Sequence, residues 1–120
     1  MKRVMVLLPT LDEAQGITEV VPRIPRSALG ASGWDVQVLV VDGGSDDGTI
    51  KIAEALGCST LQQHGKGKGA AMRQGFAAFL RSEADALVML DADGTYHPEE
   101  IPKILKGLSR ADVAVGDRLK

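Results

Sequence analysis

The sequence is poor in cysteine, since Cys58 is the only one among its 120 residues. A single cysteine excludes a disulfide within the chain and a metal site built from several cysteines. We therefore expect a protein of a reducing compartment, with Cys58 as a small buried thiol. The predicted location is the cytoplasm or the cytoplasmic face of a membrane.

Long apolar runs are also missing. None approaches the ~20 residues that a membrane-spanning helix requires. The run at residues 4–8 ends at Pro9 and lacks a small-residue cleavage site, so it is predicted to be a strand and not a signal peptide. We expect any membrane contact to depend on a partner or on a segment outside this sequence.

Neither sign of charge dominates the chain. It has 14 Lys and Arg against 16 Asp and Glu, which gives a formal net charge of -2. Proteins that bind duplex nucleic acid usually carry a strong basic excess. Nucleic acid is therefore not expected as the main partner.

What the sequence does contain is an alternation of apolar strands with helical patterns. The predicted strands are residues 3–8, 35–41, 58–61, 86–90 and 112–116, and the predicted helices are residues 12–24, 49–56, 67–83 and 98–109. This order predicts one α/β domain with a mainly parallel sheet and helices on both faces. The direction of the last strand is left open. The longest helix is expected to bury Ala71, Phe76, Phe79 and Leu80.

Charged side chains follow three of these strands. Asp42 ends the second strand, Asp91 and Asp93 follow the fourth, and Arg118 follows the fifth. Ligands of open α/β sheets bind outside the carboxyl ends of the strands. We therefore expect these residues to share one edge of the sheet.

Asp91 and Asp93 are the first candidate site. Two carboxylates one residue apart at the tip of a buried strand are hard oxygen ligands, which suit Mg²⁺ or Mn²⁺ and could hold a substrate diphosphate through the metal. The alternative is a polar turn with two solvated aspartates.

Asp42 opens a loop rich in Gly, Ser and Asp. Its carboxylate could accept hydrogen bonds from a nucleoside base or ribose, while the glycines permit close approach. The alternative is helix capping, which would explain Asp46, Asp47 and Thr49 better than it explains Asp42.

Two further segments are less specific. Asp12 is a candidate N-cap for the first helix, and Glu13 reads as a first-turn acid. Residues 65–71 place Lys66 and Lys68 among glycines at a predicted helix start, where free N–H groups favour an anion. The alternative for that stretch is a flexible basic loop. The spacing of a P-loop is absent.

The order of these motifs resembles that of family 2 glycosyltransferases with the GT-A fold. The nearest branch is that of the dolichol- or polyprenyl-phosphate mannosyltransferases. The matching segments are PTLDE (residues 9–13), VDGGSDDGT (41–49), GKGAAMRQG (67–75), LDAD (90–93) and VGDR (115–118).

The resemblance implies a Rossmann-like nucleotide-binding domain and a role for each matching residue. The residues expected around the base and ribose are Pro9, Leu11, Glu13, Val40 and Asp42. Asp91 and Asp93 would hold Mg²⁺ or Mn²⁺ and the diphosphate, with the backbone of Ala92 nearby. Arg118 would contact phosphate, with Lys68 as an additional cation. Asp91, Asp93 and Arg118 are therefore the predicted catalytic residues.

The implied reaction is transfer of a hexose, with inversion, from a nucleoside-diphosphate sugar to a polyprenyl or dolichyl phosphate. Leu11 and Asp12 depart from the family pattern, and so does the run from Gly94 to His97, which leaves the base and the sugar open. Members of the family normally continue past the residue matching Arg118, so the acceptor-binding part is expected to be missing.

Two alternatives accompany this prediction. The chain could bind a donor nucleotide without transferring the sugar. The stretch from Leu90 to Thr95 also resembles the first motif of haloacid-dehalogenase-type phosphatases, although that motif should open a chain and be followed by further acidic motifs.

Overall fold

The computed structural model describes residues 1–92, 97–106 and 113–116, except the side chains of Lys68 and of residues 113–116. The strands are β1 (Lys2–Thr10), β2 (Trp34–Asp42), β3 (Ser59–Gln62), β4 (Ala86–Leu90) and β5 (Val113–Gly116). The helices are α1 (Ala14–Val20), α2 (Arg26–Ala31), α3 (Thr49–Ala55), α4 (Gly67–Arg81) and α5 (Ile101–Lys106). Short 3₁₀ turns, Val21–Arg23 and Pro98–Glu100, follow α1 and precede α5.

The five described strands form one sheet in the order β3-β2-β1-β4-β5. Every neighbouring pair is parallel, including β4 with β5, whose direction the sequence left open. The strand order reverses at β1, because β2 and β3 lie on one side of it and β4 and β5 on the other. Such a reversal opens a crevice between the loops that follow β1 and β4, as in Rossmann-type folds.

Alternating side chains of each central strand enter two separate apolar layers. Val4, Val6 and Leu8 of β1 pack with residues of α1, α2, α3 and α5 on one face. Met5 and Leu7 pack on the other face, where α4 contributes Ala71 and Phe79. The sheet is therefore covered by helices on both faces, which confirms the predicted α/β class.

The single helix predicted at residues 12–24 is wrong. The structure has α1, then the 3₁₀ turn, then the separate helix α2. Pro22 lacks an N–H group and takes the start of the 3₁₀ turn, while Ile24, the residue before Pro25, is extended at ψ 122°. The carbonyl of Pro25 then accepts the N–H of Leu29 at 2.9 Å and starts α2. The sequence analysis missed this six-residue helix.

The predicted buried face of α4 is half wrong. Ala71 and Phe79 are buried, but Phe76 is 42% exposed and Leu80 is 65% exposed. The cause is the close approach of Gly75 to β1, where an added Cβ would lie 2.3 Å from Leu7 Cδ2. This contact turns the face of α4 that carries Gly75 towards the sheet and leaves Phe76 and Leu80 exposed to solvent.

The remaining elements agree with the sequence to within a few residues. The predicted helix at residues 98–109 appears as the 3₁₀ turn and α5, and residues 107–112 lie outside the described part of the chain. Cys58 is buried and reduced, as expected, and its burial raises the pKa of the thiol. None of the described helices is long and apolar enough to cross a membrane.

Candidate functional site

A cleft of about 690 Å³ opens at the carboxyl ends of β1 and β4, at the point where the strand order reverses. Five segments form it: the end of β1 and the loop after it, the loop after β2, the loop after β3, the start of α4, and the turn after β4. The lining residues are Pro9, Thr10, Leu11, Glu13, Gly43, Gln63, Gly65, Lys66, Gly67, Ala71, Asp91 and Ala92. The volume is typical of a small-molecule site.

Asp42 lies beneath this cleft with no exposed surface. Its Oδ1 accepts hydrogen bonds from the hydroxyls of Thr10, at 2.7 Å, and Ser45. Its Oδ2 accepts the backbone N–H groups of Gly44 at 3.0 Å and Ser45 at 2.8 Å. Burial alone would raise the pKa of Asp42, but these bonds outweigh it and hold that pKa below its usual value. The carboxylate thus fixes the loop that follows β2.

Asp47 joins the starts of two helices. One of its oxygens accepts the N–H of Ala14 in α1 at 3.1 Å, and the other accepts the N–H of Thr49 in α3 at 3.1 Å. The Thr49 hydroxyl also donates to Asp47, and it accepts the N–H of Glu13 at 3.2 Å. The hydrogen bond from Thr49 is the main cause of a lowered pKa for Asp47. Gly48, and not Asp47, occupies the N-cap position of α3, so Asp47 is not the predicted cap, but its carboxylate accepts the first N–H group of both α1 and α3.

The prediction that Asp12 caps α1 is wrong. Glu13 occupies the N-cap position without a capping side-chain bond, and Asp12 has a left-handed backbone with φ 53°. The Asp12 carboxylate instead accepts the N–H of Asp46 at 2.9 Å, and the Asp12 N–H donates to Ser45 Oγ at 2.7 Å. The loops after β1 and β2 are therefore bonded into one wall of the cleft.

The opposite wall is the glycine- and lysine-rich segment before α4. Gln63 Nε2 donates to the carbonyls of Gly65 and Gly67, both at 3.0 Å. Gln74 of α4 donates to the carbonyl of Gln62 and accepts the N–H of His64, both at 2.8 Å. Two glutamine side chains thus fix the backbone of this loop, which argues against the alternative of a flexible basic loop.

Asp91 is half-buried directly after β4 and lines the same cleft as Glu13. Ala92 follows and is 2% exposed. Its carbonyl lies against α1 so closely that a Cβ added to Gly16 would be 1.8 Å from the Ala92 oxygen. The backbone contact between α1 and β4 therefore brings the turn after β4 to the wall that carries Glu13.

Comparison with known proteins decides the family of this chain. A family model described as Glycosyl transferase family 2 matches residues 5–120. The chain belongs to glycosyl transferase family 2. This match also decides against the phosphatase alternative.

Two relatives show how much of a family 2 protein the chain represents. Glycosyltransferase AglJ of Haloferax volcanii is 39% identical over 116 residues, which cover 96% of this chain and 36% of that protein. Polyprenol monophosphomannose synthase of Mycolicibacterium smegmatis is 34% identical over 125 residues, which cover 98% of this chain and 45% of that protein. The chain spans less than half the length of these relatives.

A solved structure agrees with the fold. Glucosyl-3-phosphoglycerate synthase from Mycobacterium tuberculosis, in complex with Mn²⁺ and uridine-diphosphate-glucose, matches with a TM-score of 0.70 and 29% identity. The match covers 88% of this chain and 38% of that one. The predicted GT-A fold is confirmed.

The residues predicted for the donor site of this family 2 chain divide into three groups. Pro9, Leu11, Glu13, Asp91 and Ala92 line the cleft. Val40 and Asp42 are fully buried beneath it, Val40 within the apolar layer on the α1 side, and neither lines the cleft. Asp93, Arg118 and the side chain of Lys68 lie outside what the structure describes. The donor contacts expected of all three groups stay predictions.

The sequence analysis missed several lining residues, of which Gln63 and Lys66 are the most polar. Lys66 was visible as one of two lysines in the glycine-rich segment, but the resemblance assigned a donor contact only to Lys68. Gln63 gave no signal in the sequence, because its role comes from bonds to carbonyls two and four residues ahead.

The acidic residues of the cleft suit one kind of metal site. Glu13 and Asp91 offer hard oxygen atoms, and no group of three or more potential metal ligands occurs in the described part of the chain. Mg²⁺ and Mn²⁺ are commonly held by one or two carboxylates together with substrate phosphates, and not by a closed cage of protein ligands. The residues therefore fit a metal that binds together with a diphosphate.

Proposed function

We propose that this family 2 chain binds the nucleoside-diphosphate sugar of a metal-dependent, inverting hexosyltransferase whose acceptor is a polyprenyl or dolichyl phosphate. The observation that carries the proposal is the position of Glu13 and Asp91 in one cleft, at the reversal point of a parallel sheet. Ligands of this sheet type bind at such a point.

The wall built from the loops after β1 and β2 is proposed to hold the base and ribose. Leu11 is 59% exposed and, with Pro9, offers apolar surface to the flat face of a base. Glu13 offers carboxylate oxygens to a hydroxyl or N–H donor of the nucleoside. Asp42 contributes from below, because its hydrogen bonds keep the wall in one shape.

The opposite wall is proposed to hold the diphosphate. Lys66 lines the cleft, and the first turn of α4, which contains Lys68, provides backbone N–H groups that favour an anion. With Arg118, these groups would stabilise the negative charge that develops on the departing nucleoside diphosphate. Asp91 and Asp93 would hold Mg²⁺ or Mn²⁺, which supplies Lewis-acid stabilisation of the same leaving group.

A phosphate acceptor agrees with the residues present. Such an acceptor is anionic near neutral pH and needs no general base, whereas an alcohol acceptor does. The two described carboxylates of the cleft, those of Glu13 and Asp91, are already assigned to the donor. The name of the Mycolicibacterium smegmatis relative supports a polyprenyl acceptor, and the Mn²⁺ and uridine-diphosphate-glucose of the solved neighbour support the metal and the donor class.

The second candidate function is donor binding without transfer. It is favoured by the length of the relatives, which continue well beyond the part that matches this chain. Incubation with a radiolabelled nucleotide sugar and a polyprenyl phosphate separates the two functions. Label in the lipid fraction supports transfer, whereas binding of the donor with no labelled lipid favours the second candidate.

Calorimetric titration with GDP and UDP, each with and without Mn²⁺, tests the donor site. We expect one nucleotide to bind in a metal-dependent manner. Asp91→Asn and Asp93→Asn should each sharply weaken that binding, because a neutral amide is a poorer ligand for a hard cation.

The matched control is Asp46→Asn. This substitution removes an exposed carboxylate from the loop after β2, and Asp46 itself does not line the cleft. This variant should bind as the wild type does. Equal binding by the Asp91→Asn variant would remove the role assigned to Asp91, and no binding of either nucleotide by the wild type would overturn the proposed donor site.

A further inference from the structure

Arg23 forms a forked contact with the segment that follows the Asp91 turn in the chain. Its Nε and Nη2 atoms donate to the two carboxylate oxygens of Glu99, both at 2.8 Å. The Nη2 atom also lies 3.0 Å from Nδ1 of His97. The hydrogen bond from Arg23 is the main reason that the pKa of Glu99 falls to about 2. A planar guanidinium bound at both carboxylate oxygens fixes direction as well as distance.

The connection between Ala92 and His97 is held at its Ala92 end as well, by the helix that precedes Arg23. Ala92, directly after Asp91, has its carbonyl against Gly16 of α1. Arg23 is the last residue of the 3₁₀ turn. This turn continues α1 directly, because Val21 is helical and its N–H bonds to the carbonyl of Ile17. Residues 14–23 therefore form one continuous helical piece, which contacts the connection between Ala92 and His97 at both of its ends.

This piece is itself fixed to the nucleoside wall of the cleft. The N–H of Ala14 at its start is bonded to Asp47, in the loop after β2. Because residues 14–23 contact both the Asp91 turn and that wall, the position of this piece sets the distance between the two.

We propose that residues 14–23 act as a brace that holds both ends of the connection between Ala92 and His97, with Arg23 as a positioning residue for the Asp91 carboxylate in donor binding. The functional part of this inference rests on the proposed donor site. Arg23 contacts no lining residue of the cleft in any described hydrogen bond, so its effect on binding would pass through Glu99 and His97.

A matched control lies at the amino ends of the strands, away from the cleft. Arg3 and Asp35 form an ion pair at 3.2 Å, and their side chains are 47% and 55% exposed, against 35% and 53% for Arg23 and Glu99. Removing either pair deletes one exposed ion pair, which by itself has little effect on stability. Only the pair with Arg23 touches the connection after Asp91.

The first measurement is amide hydrogen exchange in the wild type, Arg23→Ala and Arg3→Ala, followed at the N–H groups of Asp91, Ala92, His97, Glu99 and Glu100. We expect faster exchange at these amides in Arg23→Ala only, including the N–H of Glu100 that bonds to the His97 carbonyl at 2.9 Å. Equal exchange in all three proteins overturns the brace.

The second measurement is calorimetric affinity for GDP or UDP with Mn²⁺. Loss of a residue that bonds directly to a metal ligand typically weakens affinity by about tenfold or more. Because Arg23 acts through Glu99 and His97, we expect a smaller loss for Arg23→Ala, below about tenfold, with an unchanged folding midpoint. The affinity of Arg23→Lys should lie between those of the wild type and Arg23→Ala, because lysine keeps the charge but loses the paired contact with both carboxylate oxygens of Glu99. The exchanged pair Arg23→Glu with Glu99→Arg should recover part of the loss. Equal affinity of the Arg23→Ala and Arg3→Ala variants overturns the positioning role.

Failure of the donor site is distinguishable from failure of the brace. If the wild type binds neither nucleotide with Mn²⁺, the proposed function and the positioning role fail together. The exchange data then still decide the structural part: faster exchange in Arg23→Ala supports the brace, and unchanged exchange overturns it.

Discussion

Asp42 shows how a single buried carboxylate can organise a binding wall without lining the cleft. Its two oxygens receive four hydrogen bonds from Thr10, Gly44 and Ser45. In Asp42→Asn, the amide oxygen can keep the N–H groups of Gly44 and Ser45, while the NH₂ group faces hydroxyls that can accept from it. Hydrogen bonds to a charged carboxylate thus become weaker bonds to a neutral amide, so we expect the free energy of unfolding in urea to fall by roughly 1–3 kcal/mol.

The same substitution makes a prediction about pH. The pKa of Asp42 is lowered in the folded chain, so its ionised form adds stability above the unfolded pKa of about 3.9, and this is lost as pH falls through the folded pKa. The stability difference between wild type and Asp42→Asn should be constant above about pH 5 and shrink below about pH 4. Asp46→Asn should follow the wild type, and a difference that is independent of pH would contradict the role of the charge.

Part of the cleft was predictable residue by residue. Asp91 was located because the carboxyl ends of parallel strands meet at one edge, whereas Pro9, Leu11 and Glu13 were expected only from the resemblance to family 2 glycosyltransferases. The sequence could not separate Val40, in the core, from residues that line the cleft, since a strand buried on both faces has no polar alternation to indicate direction. Gln63 was missed because hydrogen bonds within a loop leave no periodic pattern.

At the scale of elements, α1 and β4 meet through backbone and not through side chains. Gly16→Ala would normally favour a helix by roughly 0.5–1 kcal/mol. Here the new Cβ would lie 1.8 Å from the carbonyl oxygen of Ala92, so α1 or the end of β4 must shift. Such overpacking typically costs about 1–3 kcal/mol, and we expect a net loss of unfolding free energy in urea.

The control for this substitution is Gly30→Ala in α2, where an added Cβ meets nothing within 4 Å. That variant should gain stability by up to about 1 kcal/mol. A Gly16→Ala variant that is as stable as Gly30→Ala would show that the contact between α1 and Ala92 yields easily.

The elements also show where periodicity reaches its limit. The five strands were predicted because continuous apolar runs and the turns between them are strong local signals. The inner face of α4 was mispredicted because Gly75, which has no side chain, makes the closest approach to the sheet. A hydrophobicity pattern gives weight to Phe76 and Leu80 and none to a glycine, although the contact with Leu7 decides how the helix is rotated.

At the scale of the whole molecule, the site joins segments that are distant in sequence. The wall proposed to hold the nucleoside comes from the loops after β1 and β2, and the proposed metal ligand Asp91 directly follows β4. A ligand that bridges these parts binds the folded chain and not the unfolded one. It should therefore raise the free energy of unfolding of the entire domain by mass action.

The matching nucleotide with Mn²⁺, at one hundred times its dissociation constant, should add about 2.7 kcal/mol of stability. For a domain of 120 residues that corresponds to an increase in Tm of roughly 10 °C, measured by circular dichroism. Asp91→Asn should lose most of the increase, measured against the unfolding temperature of the same variant without ligand. If the variant keeps the full increase, the nucleotide is held by the walls of the cleft alone, and the part of the proposed function that assigns metal-dependent diphosphate binding to the turn after β4 is wrong.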